Sequence, residues 1–512
     1  MKINRRVFLG AGLLAAGRLI AGFEVTAAEK ELARLRVSGN KRFLVTADGK
    51  PFFWLADTAW GVCKLPPAQA RDHLATRARQ CFNVIQVSPG LAVTNHAGHR
   101  PFVNDAPSSP NEPFWQDLDA LVREAAGHGL YVALVPLWGN EYGKAFGTNE
   151  AAAFAFGQWI GRRYAGQANV LWIVSGEYDD INAYRLPISA AQTGVLNAAA
   201  RGLRAAHHGA QLMTIHPGVA RTSSTDFHAE PWLDFNMLQS GHMIDSTAHG
   251  LPENHTLIGN DYARHPTKPV LDGEPIYEDT PDAVWIVKRV DGPRAGADAV
   301  RRKAYWSVFS GACGHTYGHN DVYGFFTPAF PGQVLSLQTR PSGPGQRGDW
   351  REALQAPGAT QMRHLRRLIE SRPFLTQVPD RSLLVTPETS PLEHLAALRG
   401  EGYALVYTPT GKPFRVRLDR LSGREVQARW FDPRTSESQA AGRFAREGER
   451  EFTPPGQPRA GNDWVLALDN PARHLPAPGS ARFHHEPADT QRFDGISSRN
   501  PNAQKQGERQ MI

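Results

Sequence analysis

Eight short runs of apolar, β-branched and aromatic residues recur along the first two thirds of the chain, at 52–56, 83–87, 131–136, 170–174, 211–215, 235–238, 269–271 and 312–317. Segments with helical spacing lie between them. Residues 67–80 start on a proline, and within 114–128 Leu118, Leu121, Val122 and Ala125 fall on one helical face. Strand and helix alternating in this way predict a parallel sheet, and eight repeats predict a closed (β/α)8 TIM barrel of the α/β class.

The flanking segments have a different character. Residues 43–54 read as a hairpin around Asp48-Gly49 that closes the bottom of the barrel. After the eighth run come a Pro/Gly-rich stretch, 328–348, and a last helix ending near Ser371. From about 381 to 468 the runs are short and alternating, as in 403–407, 414–418, 426–430 and 464–468, with turns at Thr410-Gly411 and Asp432-Pro433. That pattern predicts an antiparallel β-sandwich. The expected organisation is a leader at 1–28, a barrel at 35–375, a sandwich at 380–470 and a polar, disordered tail at 471–512.

Composition narrows the function. In 512 residues, 41% are hydrophobic and 21% charged, which suits one large core with a smaller appended domain. Of the formal charge of +7, the first 28 residues carry +3. The remaining arginines are scattered rather than gathered into a stripe, so no nucleic-acid partner is expected. The nearest cluster, Arg363 to Arg367, reads as the solvated face of a helix. Residues 4–28 combine Arg5-Arg6, an apolar stretch interrupted by Arg18, and small residues at Ala27-Ala28. This reads as a twin-arginine signal peptide, giving a periplasmic or secreted protein with no integral membrane association once the leader is cleaved. Cys63, Cys81 and Cys313 have no metal-ligand spacing and read as buried apolar residues.

Two glutamates end buried runs: Glu177 follows Val170-Leu-Trp-Ile-Val-Ser-Gly, and Glu274 follows Pro269-Val-Leu-Asp-Gly. The C-terminal strand ends of a barrel form one rim, and cleaving a glycosidic bond needs two carboxyl groups there. Glu177 is expected to be the acid/base and Glu274 the nucleophile, with Asp272 orienting Glu274. A carboxyl separation of about 5.5 Å predicts retention of configuration, and about 6.5 to 9.5 Å inversion. The neighbouring strand ends supply residue types that bind sugars, namely Asp57, Trp60, Trp138, Asn140, His216, His242, Tyr277, His315 and Tyr317. A carbohydrate substrate and no cofactor follow. A metal-dependent hydrolase would use Asp57, His216, His242, His315 and His319 as ligands, but no His-x-His pair follows the first run, so no metal is assigned. A further alternative is a carbohydrate-binding protein on an inactive barrel.

The stretches Asp48 to Trp60, Arg79 to Gln86, Trp172 to Glu177, Asp272 to Pro275 and Gly314 to His319 carry a resemblance. Across residues 35–468 the chain resembles the apiosidase-like glycoside hydrolases of family 140, including their C-terminal domain labelled collagen-binding. The resemblance implies a glycosidase barrel with acid/base and nucleophile after strands four and seven, acting on a plant-type glycan such as apiose in pectic side chains. It also marks two departures: Gly176 stands where most of the clan has Asn, and Glu177 where the relatives have Asp.

Overall fold

The computed structural model describes residues 32–91, 93–139, 141–179, 188–328 and 344–483. The expected leader, Asn140 and most of the expected tail lie outside the described residues. No helix among the described residues is long and apolar enough to cross a membrane.

All eight expected strands form, labelled here as barrel strands only. They are β1 (Trp54–Thr58), β2 (Val84–Val87), β3 (Tyr131–Leu134), β4 (Val170–Ile173), β5 (Met213–Thr214), β6 (Asn236–Gln239), β7 (Val270–Asp272) and β8 (Gly314–Tyr317). Parallel ladders run β8-β1-β2-β3-β4-β5 in one sheet and β6-β7 in a second. The seams between these sheets are stitched by single backbone hydrogen bonds. Asp234 N donates to Met213 O at 2.9 Å, and Cys313 N donates to Val270 O at 2.9 Å. At the first seam a short strand, Arg221–Thr222, pairs antiparallel with the end of β6. The result is the (β/α)8 barrel read from the sequence.

Every residue of these eight strands is buried, which is why they appear in the sequence as continuous apolar runs rather than alternating ones. Trp54 meets Phe235 within the barrel at 5.9 Å, and Leu171, Ile173, Met237 and Leu271 belong to the same apolar cluster. On the outside, Leu238 and Val270 pack against Leu257 and Ile258 of the helix Asn254–Tyr262. A three-stranded antiparallel sheet, Leu35–Val37, Leu44–Thr46 and Pro51–Phe52, precedes β1, with the expected turn at Asp48-Gly49. It packs by Phe52 on Tyr131 at the start of β3.

The C-terminal part is a sandwich of a six-stranded antiparallel sheet and a two-stranded one, Phe414–Arg417 with Glu449–Phe452. It is joined to the barrel through the helix Ala297–Phe309: Arg301 pairs with Asp463, Tyr305 stacks on Tyr407 at 4.8 Å, and Trp306 Nε1 donates to His394 O at 2.9 Å. Cys63, Cys81 and Cys313 are all buried.

Candidate active site

Glu274 lies two residues beyond β7, only 4% exposed. Two imidazoles and a phenol converge on its carboxylate. His216, from the end of β5, places Nε2 3.1 Å from Oε2. His242, beyond β6, places Nε2 3.1 Å from Oε1, and the Tyr277 hydroxyl donates to the same Oε1. Burial alone pushes this carboxyl up, but the hydrogen bonds and electrostatic pull of His216 and His242 outweigh it and hold the group below the ordinary carboxylate value. Glu274 is therefore poised as an anion in a nearly dry site.

Aromatic rings close the wall around it. Trp60 Nε1 donates to the Tyr277 hydroxyl at 3.2 Å, so the Tyr277 proton is directed at Glu274. Trp60 and Trp138 meet edge to face at 4.9 Å, and each lies 5.8 Å from the His216 ring. Tyr277 has Tyr323 at 5.4 Å on one side and His242 at 4.3 Å on another. The ring of Tyr277 also requires Gly318, because a Cβ there would come 2.1 Å from Tyr277 Cδ1.

Glu177 is half-buried and follows β4 by four residues. Its backbone is left-handed, φ +41°, a conformation rarely adopted outside glycine and concentrated at functional sites. The residue before it, Gly176, must lack a side chain. A Cβ at 176 would lie 2.3 Å from Cε3 of Trp138, so the indole occupies the space of a side chain at this position. The Glu177 amide faces His216 Nδ1 at 3.4 Å, and Gln239 Nε2 donates to Glu177 Oε1 at 3.2 Å. One imidazole ring thus touches the Glu177 backbone on one nitrogen and the Glu274 carboxylate on the other. Burial first, then the charges of Glu274, Asp321 and Glu177, push the Tyr323 phenol up.

A family model for the catalytic domain of apiosidase-like proteins matches residues 38–376. The chain belongs to the apiosidase-like family. A second model, named for collagen binding in a collagenase, matches residues 378–469. A solved structure named "Glycoside hydrolase" is 31% identical, with 86% of this chain and 97% of that one covered and a TM-score of 0.77. A glycoside hydrolase family 5 structure from Bacteroides vulgatus ATCC 8482 is also 31% identical, with 86% and 94% covered and a TM-score of 0.76. Among curated proteins there is no match. The apiosidase-like chain is a glycoside hydrolase.

Of the residues expected at the rim, the apiosidase-like barrel gathers Glu177, Glu274, Trp60, Trp138, His216, His242 and Tyr277. Asp57, His315 and Tyr317 lie elsewhere, and the reason is strand alternation. Trp54 faces the lumen, so Asp57, three residues on, faces the helices. There it pairs with His73 Nε2 at 2.8 Å and Arg77 Nη2 at 3.0 Å of the helix Pro67–Arg79. Burial raises the Asp57 carboxyl, but Arg77 and His73 bring it below its usual value. Tyr317 is in register with Asp57 and His315 with Leu55, so both share this outer face. Tyr317 donates to Glu278 Oε2 at 2.7 Å, and burial pushes His315 down to about 3. Asp272 is likewise engaged away from Glu274: Ser240 donates to it at 2.7 Å, and burial raises it to about 6. The metal ligand set considered from the sequence is split by the same alternation. Among the described residues no group of three His, Cys, Asp or Glu side chains is arranged to hold a metal ion.

Three residues at the site escaped the sequence reading: Gln239, Tyr323 and Gln86. Gln86, at β2, crosses the lumen so that Nε2 donates to Gly273 O at 2.8 Å, directly before Glu274. All three are uncharged at neutral pH, and each follows or ends a recognised strand or motif.

Proposed function

We propose that this hydrolase cleaves a glycosidic bond with retention of configuration, Glu274 acting as nucleophile and Glu177 as acid/base. The observation that carries the reading is the contrast between the two carboxylates. Glu274 is deeply buried, held as an anion by His216 and His242, and fixed in direction by Tyr277. Glu177 is half-buried beside the mouth, where a leaving oxygen and then a water reach it.

In the first step Glu274 attacks the anomeric carbon while Glu177 gives its proton to the leaving oxygen, forming a glycosyl-enzyme ester. Water then attacks that carbon from the leaving-group side, Glu177 takes its proton, and Glu274 departs as carboxylate. Trp60 and Trp138, packed on each other and on His216, form the apolar wall behind the two glutamates. The substrate class supported by the family is a plant-type glycan of the apiose-containing pectic kind. The leader supports export through the twin-arginine route.

Glu177→Gln and Glu274→Gln should each lower kcat by several orders of magnitude in protein that melts like wild type. NMR of the first-formed product should show the anomer of the substrate. Full activity in either variant, or the inverted anomer, overturns the assignment.

A further inference from the structure

Gln239 is the last residue of β6, and its neighbour Leu238 packs outward on Leu257 and Ile258. Alternation turns Gln239 inward, where it is 1% exposed. Its backbone is fixed by pairing with Arg221, and Ala220 N donates to Gln239 O at 2.8 Å. The amide nitrogen is committed to Glu177 Oε1 at 3.2 Å. The amide oxygen is buried and has no hydrogen-bond partner among the described residues.

We propose that Gln239 is a positioning residue that aims the Glu177 carboxyl at the mouth and, by donating an N–H to its ionised form, sets the pH at which Glu177 gives up its proton. The inference rests on Glu177 as acid/base. Among the described residues, the His216 imidazole lies at the Glu177 amide, and the charges of Glu177 and Glu274 both act on the Tyr323 phenol; two residues on, Asp179 is paired with Arg221 at 2.7 Å. A hydrogen bond to a carboxylate favours the charged form, so its loss raises the proton affinity.

The test uses Gln239→Met, close in shape but without the donor, and Gln239→Glu, which adds a like charge. kcat/KM is measured against pH on a methyl glycoside, whose alkoxide leaving group needs the Glu177 proton. The basic limb, where Glu177 must still hold its proton, should move upward by about one pH unit in Gln239→Met, the size one charged hydrogen bond carries. It should move at least as far in Gln239→Glu, which decides the matter if the Met variant does not fold. A role confined to packing would lower kcat and leave the limb in place. A 13C-carboxyl titration of Glu-labelled protein needs no substrate, with the Glu177 resonance identified by its loss in Glu177→Gln. An unshifted Glu177 titration in folded Gln239 variants overturns this inference while leaving the proposed function standing. Full activity in Glu177→Gln overturns the proposed function and this inference with it.

Discussion

His216 Nε2 lies 3.1 Å from Glu274 Oε2, while the other nitrogen of the same ring faces the Glu177 amide at 3.4 Å. The ring joins the two proposed catalytic carboxylates in one unit, so displacing it affects both.

The pH profile should report this arrangement. Glu274 must be ionised to attack, and its folded-state pKa is lowered, so the carboxylate persists as pH falls through the ordinary carboxylate range. Activity is expected to hold there and to decline only below it. Tyr277→Phe removes one donor to Oε1 and should move the acid limb of kcat/KM upward by about one pH unit. His242→Asn should do the same. Measured kcat/KM from pH 2 to 7 checks both, and an acid limb unmoved in the two variants would separate Glu274 from it.

Gln86 should matter although it touches no substrate. Its N–H fixes the Gly273 carbonyl from across the lumen at 2.8 Å, and Glu274 is the next residue. A displacement of about 1 Å at a reacting group costs about a hundredfold in rate. Gln86→Leu is expected to lower kcat by about tenfold to a hundredfold with KM little changed, read by initial rates beside a melting curve.

Gly176→Asn should be damaging. Its Cβ would collide with the Trp138 indole, and forced overpacking costs about 1–3 kcal/mol. Trp138→Ala should cost less in the Gly176→Asn background than in wild type, because there it also relieves the clash. Thermal melting of the two single variants and the double variant measures the coupling.

Lys64 is buried and has no ion-pair or hydrogen-bond partner among the described residues. Burial brings its ammonium down to about 8 from an ordinary 10.5. Because the unfolded chain holds this proton more tightly than the folded one, the native state is penalised at every pH below about 8, and the penalty vanishes by about 10.5. Its size is about 3 kcal/mol. Lys64→Met should therefore be more stable than wild type at pH 7, with the difference closing as pH rises to 10.5, as denaturant melts at several pH values will show.

The barrel was legible because parallel strands buried on both faces are written as largely apolar runs without strict alternation, and β1 to β8 fall within two residues of the starts read from sequence. That same feature hid which side of a strand each polar residue takes. Asp57 and Tyr317 look like rim residues in the sequence, whereas Gln86 and Gln239 look like strand filler. Only the lumen-facing Trp54 and the outward Leu238 set the phase. In the sandwich, the strand Ser438–Ala445 is an edge, largely exposed and polar, with no apolar run to announce it.

The junction between barrel and sandwich should make them unfold together. Arg301 reaches Asp463 through two contacts, Nε to Oδ2 at 3.0 Å and Nη2 to Oδ1 at 2.5 Å, and Nη1 donates to Gln361 at 2.6 Å. Both charges are almost fully buried. Removing one member of such a pair leaves the other charge unpaired in a dry setting and costs about 3–5 kcal/mol, far more than the pair itself is worth. Asp463→Ala should accordingly lower the melting temperature of the whole chain, whereas Arg301→Met with Asp463→Leu, which leaves no orphaned charge, should recover much of the loss. Calorimetry is expected to show one transition in wild type, since Tyr305 on Tyr407 and Trp306 on His394 extend the same contact. Two separate transitions in wild type would show that the sandwich is an independent unit and that the buried pair does not couple it to the barrel.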